Sequence, residues 1–87
     1  MRLGYEEIEQ VVRKSFEEVI RERDGGVKPQ FALDDILLES GLDSLGFAIL
    51  VFRLEEELGY DPFSEAEEAY YPQSFRDFID FYHKNQV

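Results

Sequence analysis

One stretch of this chain constrains its fold more than any other, because it has the features of a complete apolar helix at residues 44–58. Asp43 and Ser44 are both residue types that cap helix N-termini, and Gly59 is a typical residue after a helix end. Successive residues of a helix are rotated by roughly 100°, which places five apolar side chains within about 100° of arc on one side. They predict a buried stripe along the whole helix. These are Phe47, Leu50, Val51, Leu54 and Leu58. The chain has 87 residues, so we expect a single domain, 1–87, built around this helix.

The same helix has a second, shorter apolar stripe on roughly the opposite side, which ends before Glu56. Its members are Leu45, Ala48, Ile49 and Phe52. A helix in a small bundle needs one buried face, so the second stripe is either covered by the connection at 25–43 or exposed as a binding surface. The sequence leaves both alternatives open, and we expect at least Leu45 and Ile49 to remain accessible.

Apolar spacing and helix end signals predict three further helices. They lie at residues 4–23, at 64–70 with Ser64 as the start of a capping box, and at 74–84. The connection 25–43 contains too many apolar residues for a free linker, so we expect it to pack on the core with a helical turn near 34–38. The sequence has no alternation typical of strands. The predicted fold is therefore all-α: a bundle of three main helices plus one short helix, with a long loop between helices 1 and 2.

The chain has a net charge of −11, and its acidic residues are concentrated in one region. Residues 34–68 hold eleven acidic residues and a single base, Arg53. Such a field would steer a positively charged partner toward this region and would repel nucleic acid and anionic membranes. The alternative is a solvated surface that merely keeps the protein soluble. We expect no nucleic-acid partner.

The sequence has no feature that indicates secretion or membrane insertion. It contains no cysteine, no run of roughly 18 apolar residues and no signal-peptide pattern at its start. We therefore expect a cytoplasmic, monomeric protein that does not insert into membranes. Any thiol chemistry must come from an attached group, because no cysteine can supply it.

Residues for catalysis are scarce in this sequence. His83 is the only histidine and is predicted to lie at the surface. A Ser44–His83 pair would make a small hydrolase conceivable, but no third group that would orient the histidine is apparent. The carboxylates lack the spacing of a calcium loop, and no glycine-rich phosphate cradle is present. The sequence does not predict an enzyme.

Ser44 has two interpretations. It can be part of an ordinary helix cap, or it can be a modified serine. A hydroxyl at a helix N-terminus suits a phosphodiester, because free N–H groups and the helix dipole favour negative charge there. Asp43 can cap the helix and leave the serine hydroxyl facing outward, and Gly41 permits a sharp turn and keeps bulk away from an approaching enzyme.

Taken together, these features resemble the acyl carrier protein family. The matching segments are Gly41-Leu-Asp-Ser-Leu45, an acidic helix that ends in Leu54-Glu-Glu-Glu-Leu-Gly59, and the order of the four helices. The resemblance implies that a phosphopantetheinyl transferase attaches 4′-phosphopantetheine to Ser44, and that the thiol of this arm carries acyl groups as thioesters. It also implies that Asp43 helps the transferase to bind. Docking on basic patches of partner enzymes would then involve Leu45, Ile49, Phe52, Glu55 and Glu56.

The sequence also departs from carriers of general fatty-acid synthesis. Those carriers place polar or acidic residues soon after the motif, whereas Ile49 stands where an acid is expected and Arg53 adds a base. We therefore predict a specialised carrier of a dedicated pathway, served by an acyl- or aminoacyl-activating ligase and by downstream acyl-processing enzymes. An aminoacyl or peptidyl carrier remains an alternative, since such carriers use more apolar docking surfaces. An acidic adaptor without a prosthetic group is a further alternative.

Overall fold

The computed structural model describes residues 3–23, 32–39, 43–65 and 72–86. Across these residues the chain is helical and contains no β-strand, and an isolated antiparallel bridge joins Ile36 to Ser74. The elements are α1 (Tyr5–Arg23), a 3₁₀ turn (Leu37–Glu39), α2 (Ser44–Leu58), α3 (Pro62–Glu65) and α4 (Phe75–Lys84). The predicted all-α bundle of three main helices and one short helix is confirmed.

Helix α2 begins and ends where the sequence predicts. Asp43 has an extended backbone (φ −96°, ψ −174°), and its Oδ1 accepts a hydrogen bond from the Gly46 N–H at 2.7 Å. Gly59 adopts the left-handed conformation (φ 86°, ψ 9°) that glycine tolerates, and its N–H donates to the Glu55 carbonyl oxygen at 2.8 Å. Asp43 is therefore the cap, and Ser44 is the first helical residue.

The core lies between α1, α2 and α4, and aromatic rings of α4 make up much of it. The fully buried side chains include Ile8, Val12, Phe16, Val19, Leu50, Leu54, Phe75, Phe78, Ile79 and Tyr82. The ring of Phe78 contacts the rings of Phe47 and Tyr82, with centroids 5.6 Å and 5.0 Å away. Such aromatic pairs contribute about 0.5–1.5 kcal/mol each beyond the area that they bury. Leu50 and Leu54 of the predicted α2 stripe are buried and its other members pack against the core, so this stripe is confirmed.

The connection between α1 and α2 is held against the N-terminus of α4. The N–H groups of Phe75 and Arg76 donate to the carbonyl oxygens of Asp35 (3.2 Å) and Leu33 (2.8 Å). These bonds satisfy two of the N–H groups that the first turn of any helix leaves without a helical acceptor. The Leu37 side chain, 1% exposed, completes the attachment by entering the core. The expectation that this connection packs on the core is confirmed for its described part.

The helical turn predicted near 34–38 lies later in the chain, as the 3₁₀ turn Leu37–Glu39. The reason is the pairing with the segment before α4. The Leu37 N–H donates to the Gln73 carbonyl oxygen at 2.8 Å, and Ile36 bridges to Ser74. The bridge keeps Ile36 extended, so the helical turn starts at the next residue, Leu37.

The short helix α3 also differs from its prediction. It begins at Pro62 rather than Ser64, with the Asp61 Oδ1 accepting from the Phe63 N–H at 2.9 Å. Proline suits the first position of a helix, because the N–H that it lacks would have no helical acceptor. Ser64 therefore lies inside the helix, where its Oγ donates to the Asp61 carbonyl oxygen at 3.1 Å. The remainder of the predicted helix, at 66–70, lies outside the described residues.

Arg53, the single base of the acidic region, has a structural partner on α1. Its guanidinium donates to the Glu18 Oε2 at 3.4 Å and to the carboxylate of Glu22. The Arg53 side chain is mostly buried, whereas both carboxylates are partly exposed. Ion pairs with exposed partners contribute about 0–1 kcal/mol each, so the main effect is to fix the orientation of α2 against α1.

Two buried tyrosines of this core differ in whether their hydroxyl groups form hydrogen bonds. The Tyr60 hydroxyl donates to the Tyr82 carbonyl oxygen at 2.6 Å, whereas the Tyr82 hydroxyl is buried without a hydrogen-bond partner among the described residues. Burial also raises the pKa of Tyr82 well above its ordinary range, so the hydroxyl stays neutral.

We predict that Tyr60→Phe lowers the free energy of unfolding by about 1–2 kcal/mol, because it leaves a buried carbonyl oxygen without its donor. Tyr82→Phe removes a hydroxyl that has no partner among the described residues, and should leave that free energy unchanged or raise it. Urea unfolding followed by circular dichroism measures both variants against the parent protein. Equal losses in the two variants would contradict this interpretation.

Candidate functional site

Ser44 stands at the N-terminus of α2 with its side chain exposed. The cap is supplied by Asp43, whose side chain is bonded to Gly46, and the Phe47 N–H donates to the Asp43 carbonyl oxygen at 2.9 Å. None of the described residues forms a hydrogen bond with the Ser44 hydroxyl. Asp43 therefore caps the helix, and the Ser44 hydroxyl is exposed with no hydrogen-bond partner among the described residues.

The backbone at this helix end suits a negatively charged substituent. The N–H groups of Ser44 and Leu45 have no acceptor in the part of the chain that the structure describes, because the first N–H groups of a helix have no preceding helical carbonyl. Unpaired N–H groups and the positive end of the helix dipole favour a phosphate here. The residues present therefore fit a serine-linked phosphodiester.

An apolar cavity opens directly beside Ser44. It has a volume of about 280 Å³, and its other described lining residues are Leu37, Leu38, Phe47 and Pro72. Its walls therefore come from three parts of the chain: the 3₁₀ turn, α2 and the segment before α4. The attachment of the turn to the segment before α4 brings these walls together.

A second, more open cavity of about 430 Å³ shares two wall residues with the first. Leu38 and Pro72 line both, and Ile36, Glu39 and Gln73 complete the described lining of the second. Leu38 and Ile36 are 56% and 42% exposed, which is high for large apolar side chains. The sequence showed that this connection is rich in apolar residues, but it gave no signal for which of them face the core.

The second stripe of α2 is largely exposed. Leu45 and Phe52 are 62% and 60% exposed, and Ala48 is exposed between them, whereas Ile49 is partly buried against the core. The expectation of an accessible Leu45 thus agrees with the structure, and Ile49 is accessible only in part. Glu55 and Glu56, one turn further along, are both exposed. A surface of apolar residues followed by acidic ones therefore runs along α2 from Ser44.

His83 lies at the other end of the bundle from Ser44. Its ring stands edge-on to the ring of Tyr5, with the ring centroids 5.9 Å apart. The residue before it, Tyr82, accepts a hydrogen bond at its carbonyl oxygen from Tyr60, which lies just beyond the C-terminus of α2. Ser44 begins that helix, and a 15-residue helix is about 20 Å long. The Ser44–His83 pair that a hydrolase would need is therefore not formed.

Other kinds of site are not found in the described part of the chain. A search of residues 3–23, 32–39, 43–65 and 72–86 finds no group of His, Cys, Asp or Glu side chains that could hold a metal ion. Over the same ranges no helix is both long and apolar enough to cross a membrane.

Comparison with known protein families identifies the class of protein to which the chain belongs. The family described as "Phosphopantetheine attachment site" matches residues 10–66. The match covers more than half of the chain, which therefore belongs to this family of phosphopantetheine carriers. Searches of curated proteins and of solved structures found no match.

Family membership sets the general activity of the chain. The domain is the attachment site of a 4′-phosphopantetheine prosthetic group, and such domains are carriers rather than enzymes. They interact with a phosphopantetheinyl transferase and with partner enzymes. The matched segment includes α2 and the residues on both sides of Ser44, but it ends before α4.

The cap of α2 leads to a prediction on stability. Asp43→Ala should lower the free energy of unfolding by about 0.5–2 kcal/mol, because the Gly46 N–H loses its acceptor. Asp43→Asn keeps a capping oxygen at this position and should retain most of the stability. Thermal unfolding of both variants at low and high salt provides the measurement. A loss in Asp43→Asn as large as that in Asp43→Ala would show that charge, not the cap, is responsible.

Proposed function

We propose that this chain is an acyl carrier protein in which Ser44 bears the phosphopantetheine arm. The observation that carries the proposal is the exposed Ser44 hydroxyl at the start of α2, which has no hydrogen-bond partner among the described residues and lies inside the segment that matches the carrier family. When bound, the prosthetic group supplies a thiol on which acyl groups are held as thioesters. The chain contains no cysteine that could supply such a thiol itself.

Asp43 has two roles in this proposal. It caps α2 through Gly46, and this leaves the neighbouring serine oxygen accessible. It also presents an exposed carboxylate beside Ser44, where the transferase has to bring its coenzyme A substrate. The N–H groups of Ser44 and Leu45, which have no acceptor among the described residues, would support the bound phosphate.

The surface of α2 would bind partner enzymes. Leu45 and Phe52 offer apolar contacts, and Glu55 and Glu56 attract a basic patch. Arg53 does not cancel this field, because its guanidinium is engaged with carboxylates of α1. Ile49, which is partly buried, would contribute at the edge of the contact.

The exposed apolar stripe favours a specialised carrier over one of general fatty-acid synthesis. In a dedicated pathway, an acyl-activating ligase would load the arm, and downstream acyl-processing enzymes would act on the cargo. The same stripe also supports the alternative of an aminoacyl or peptidyl carrier, since those carriers dock through more apolar surfaces. The mass of the cargo on protein isolated from its cells would distinguish the two.

We also propose that residues 1–87 form one carrier domain. The packing of α4 supports this, because four of its side chains belong to the core although the family match ends before it. The first and last described residues are joined as well. The Leu3 N–H donates to the Gln86 Oε1 at 2.6 Å, and the Gln86 Nε2 donates to the Leu3 carbonyl oxygen at 2.9 Å.

The attachment residue can be tested by intact mass. Incubation with a phosphopantetheinyl transferase and coenzyme A should add the mass of one phosphopantetheine to the protein. Ser64→Ala, which removes another exposed hydroxyl, should be modified as completely as the parent. Ser44→Ala should gain no mass. Modification of the Ser44→Ala protein would refute the assignment.

The docking surface can be tested by charge reversal. We predict that Glu55→Lys with Glu56→Lys slows association with the loading ligase by about tenfold or more at low salt, because steering of a basic patch is lost. Glu6→Lys with Asp80→Lys changes the net charge equally at exposed sites on α1 and α4 and serves as control. Stopped-flow measurement of the association rates at two salt concentrations compares the two double variants with the parent protein. Equal slowing in both double variants would mean that net charge, not this surface, controls docking.

A further inference from the structure

The cavity beside Ser44 has a feature that attachment alone does not require. Apart from Ser44, all of its described lining residues are apolar, and it opens at the residue to which the arm would be joined. Leu38 leaves 56% of its surface in water at this mouth, and Leu37 beneath it is buried. Filling a water-exposed apolar cavity with an apolar group lowers the free energy, because apolar surface is removed from water.

The arm has an apolar segment close to its point of attachment. In phosphopantetheine a branched segment with two methyl groups on one carbon follows the phosphate, and two amide groups and the thiol come after it. A volume of about 280 Å³ equals that of roughly nine water molecules, so the cavity can take a branched segment but not the whole arm.

The second cavity suits the next part of the arm. It shares Leu38 and Pro72 with the first and adds the polar side chains of Glu39 and Gln73. The arm's amide groups need hydrogen-bond partners, and a carboxylate and a side-chain amide can provide them. The order of apolar and then polar surroundings away from Ser44 thus matches the order of groups along the arm.

We propose that the holo-protein keeps its arm folded into this cavity, with the branched apolar segment against Leu38 and Phe47, while no partner enzyme is bound. The inference rests on the proposed function, because it requires the arm on Ser44. A group tethered through a short flexible linker has an effective concentration in the millimolar range. A weak binding site with a dissociation constant of about 1 mM is therefore occupied for much of the time.

Nuclear magnetic resonance of the holo-protein without cargo tests the proposal directly. We expect nuclear Overhauser contacts from the two arm methyl groups to the Phe47 ring and the Leu38 methyl groups. Leu38→Gln should abolish them. Leu45→Gln is the matched control, because Leu45 is similarly exposed and also close to Ser44 but lines neither cavity. It should keep the contacts.

Thermal unfolding provides a second measurement. Attachment of the arm should raise the unfolding midpoint by roughly 2 °C in the parent and in Leu45→Gln, and by much less in Leu38→Gln. Both substitutions are at exposed positions, so neither should prevent folding.

The outcomes separate this inference from the proposed function. If intact mass shows the arm on Ser44 but the contacts are absent from the parent protein, the inference is wrong and the carrier function stands. If no arm is attached, both fail. Contacts that form only after an acyl group is loaded would assign the cavity to the cargo and would overturn the inference as well.

Discussion

The 2.7 Å hydrogen bond between the Gly46 N–H and the Asp43 carboxylate is the interaction on which the site depends. It fixes the residue at which α2 starts, and so determines that the following serine is the first residue of the helix. A serine in the capping position would have used its own oxygen for this bond. Because the aspartate takes that role, the serine hydroxyl is left exposed at the positive end of a 15-residue helix dipole.

The other walls of the site depend on the tie between the connection and α4. The carbonyl oxygens of Leu33 and Asp35 accept hydrogen bonds from the first turn of α4, and Leu37 is inserted into the core. A flexible connection of this length would leave Ser44 isolated in water. Held in place, it puts Leu38 beside the serine, so Ser44 lies at the edge of an apolar cavity.

Local signals in the sequence were sufficient for the helix that contains the site. The cap and the stop of α2 are set by Asp43 and Gly59, which act within a few residues of themselves, and both ends were predicted. A long-range contact decided one of the two features that were missed. The 3₁₀ turn starts later than predicted because Ile36 pairs with Ser74, 38 residues away. At α3, two local signals competed, and the proline at position 62 determined the start rather than the serine two residues later.

The ion pairs of Arg53 have a consequence for engineering. The guanidinium of Arg53, on α2, forms ion pairs with Glu18 and Glu22, which belong to α1. A chimera that received α2 of this protein without α1 would contain an uncompensated arginine in the middle of α2. Conversely, transplanting α1 alone would carry over two carboxylates with no cation to bind. The two helices are therefore one exchangeable unit, and swaps between carriers should take the segment from Tyr5 to Leu58 as a whole.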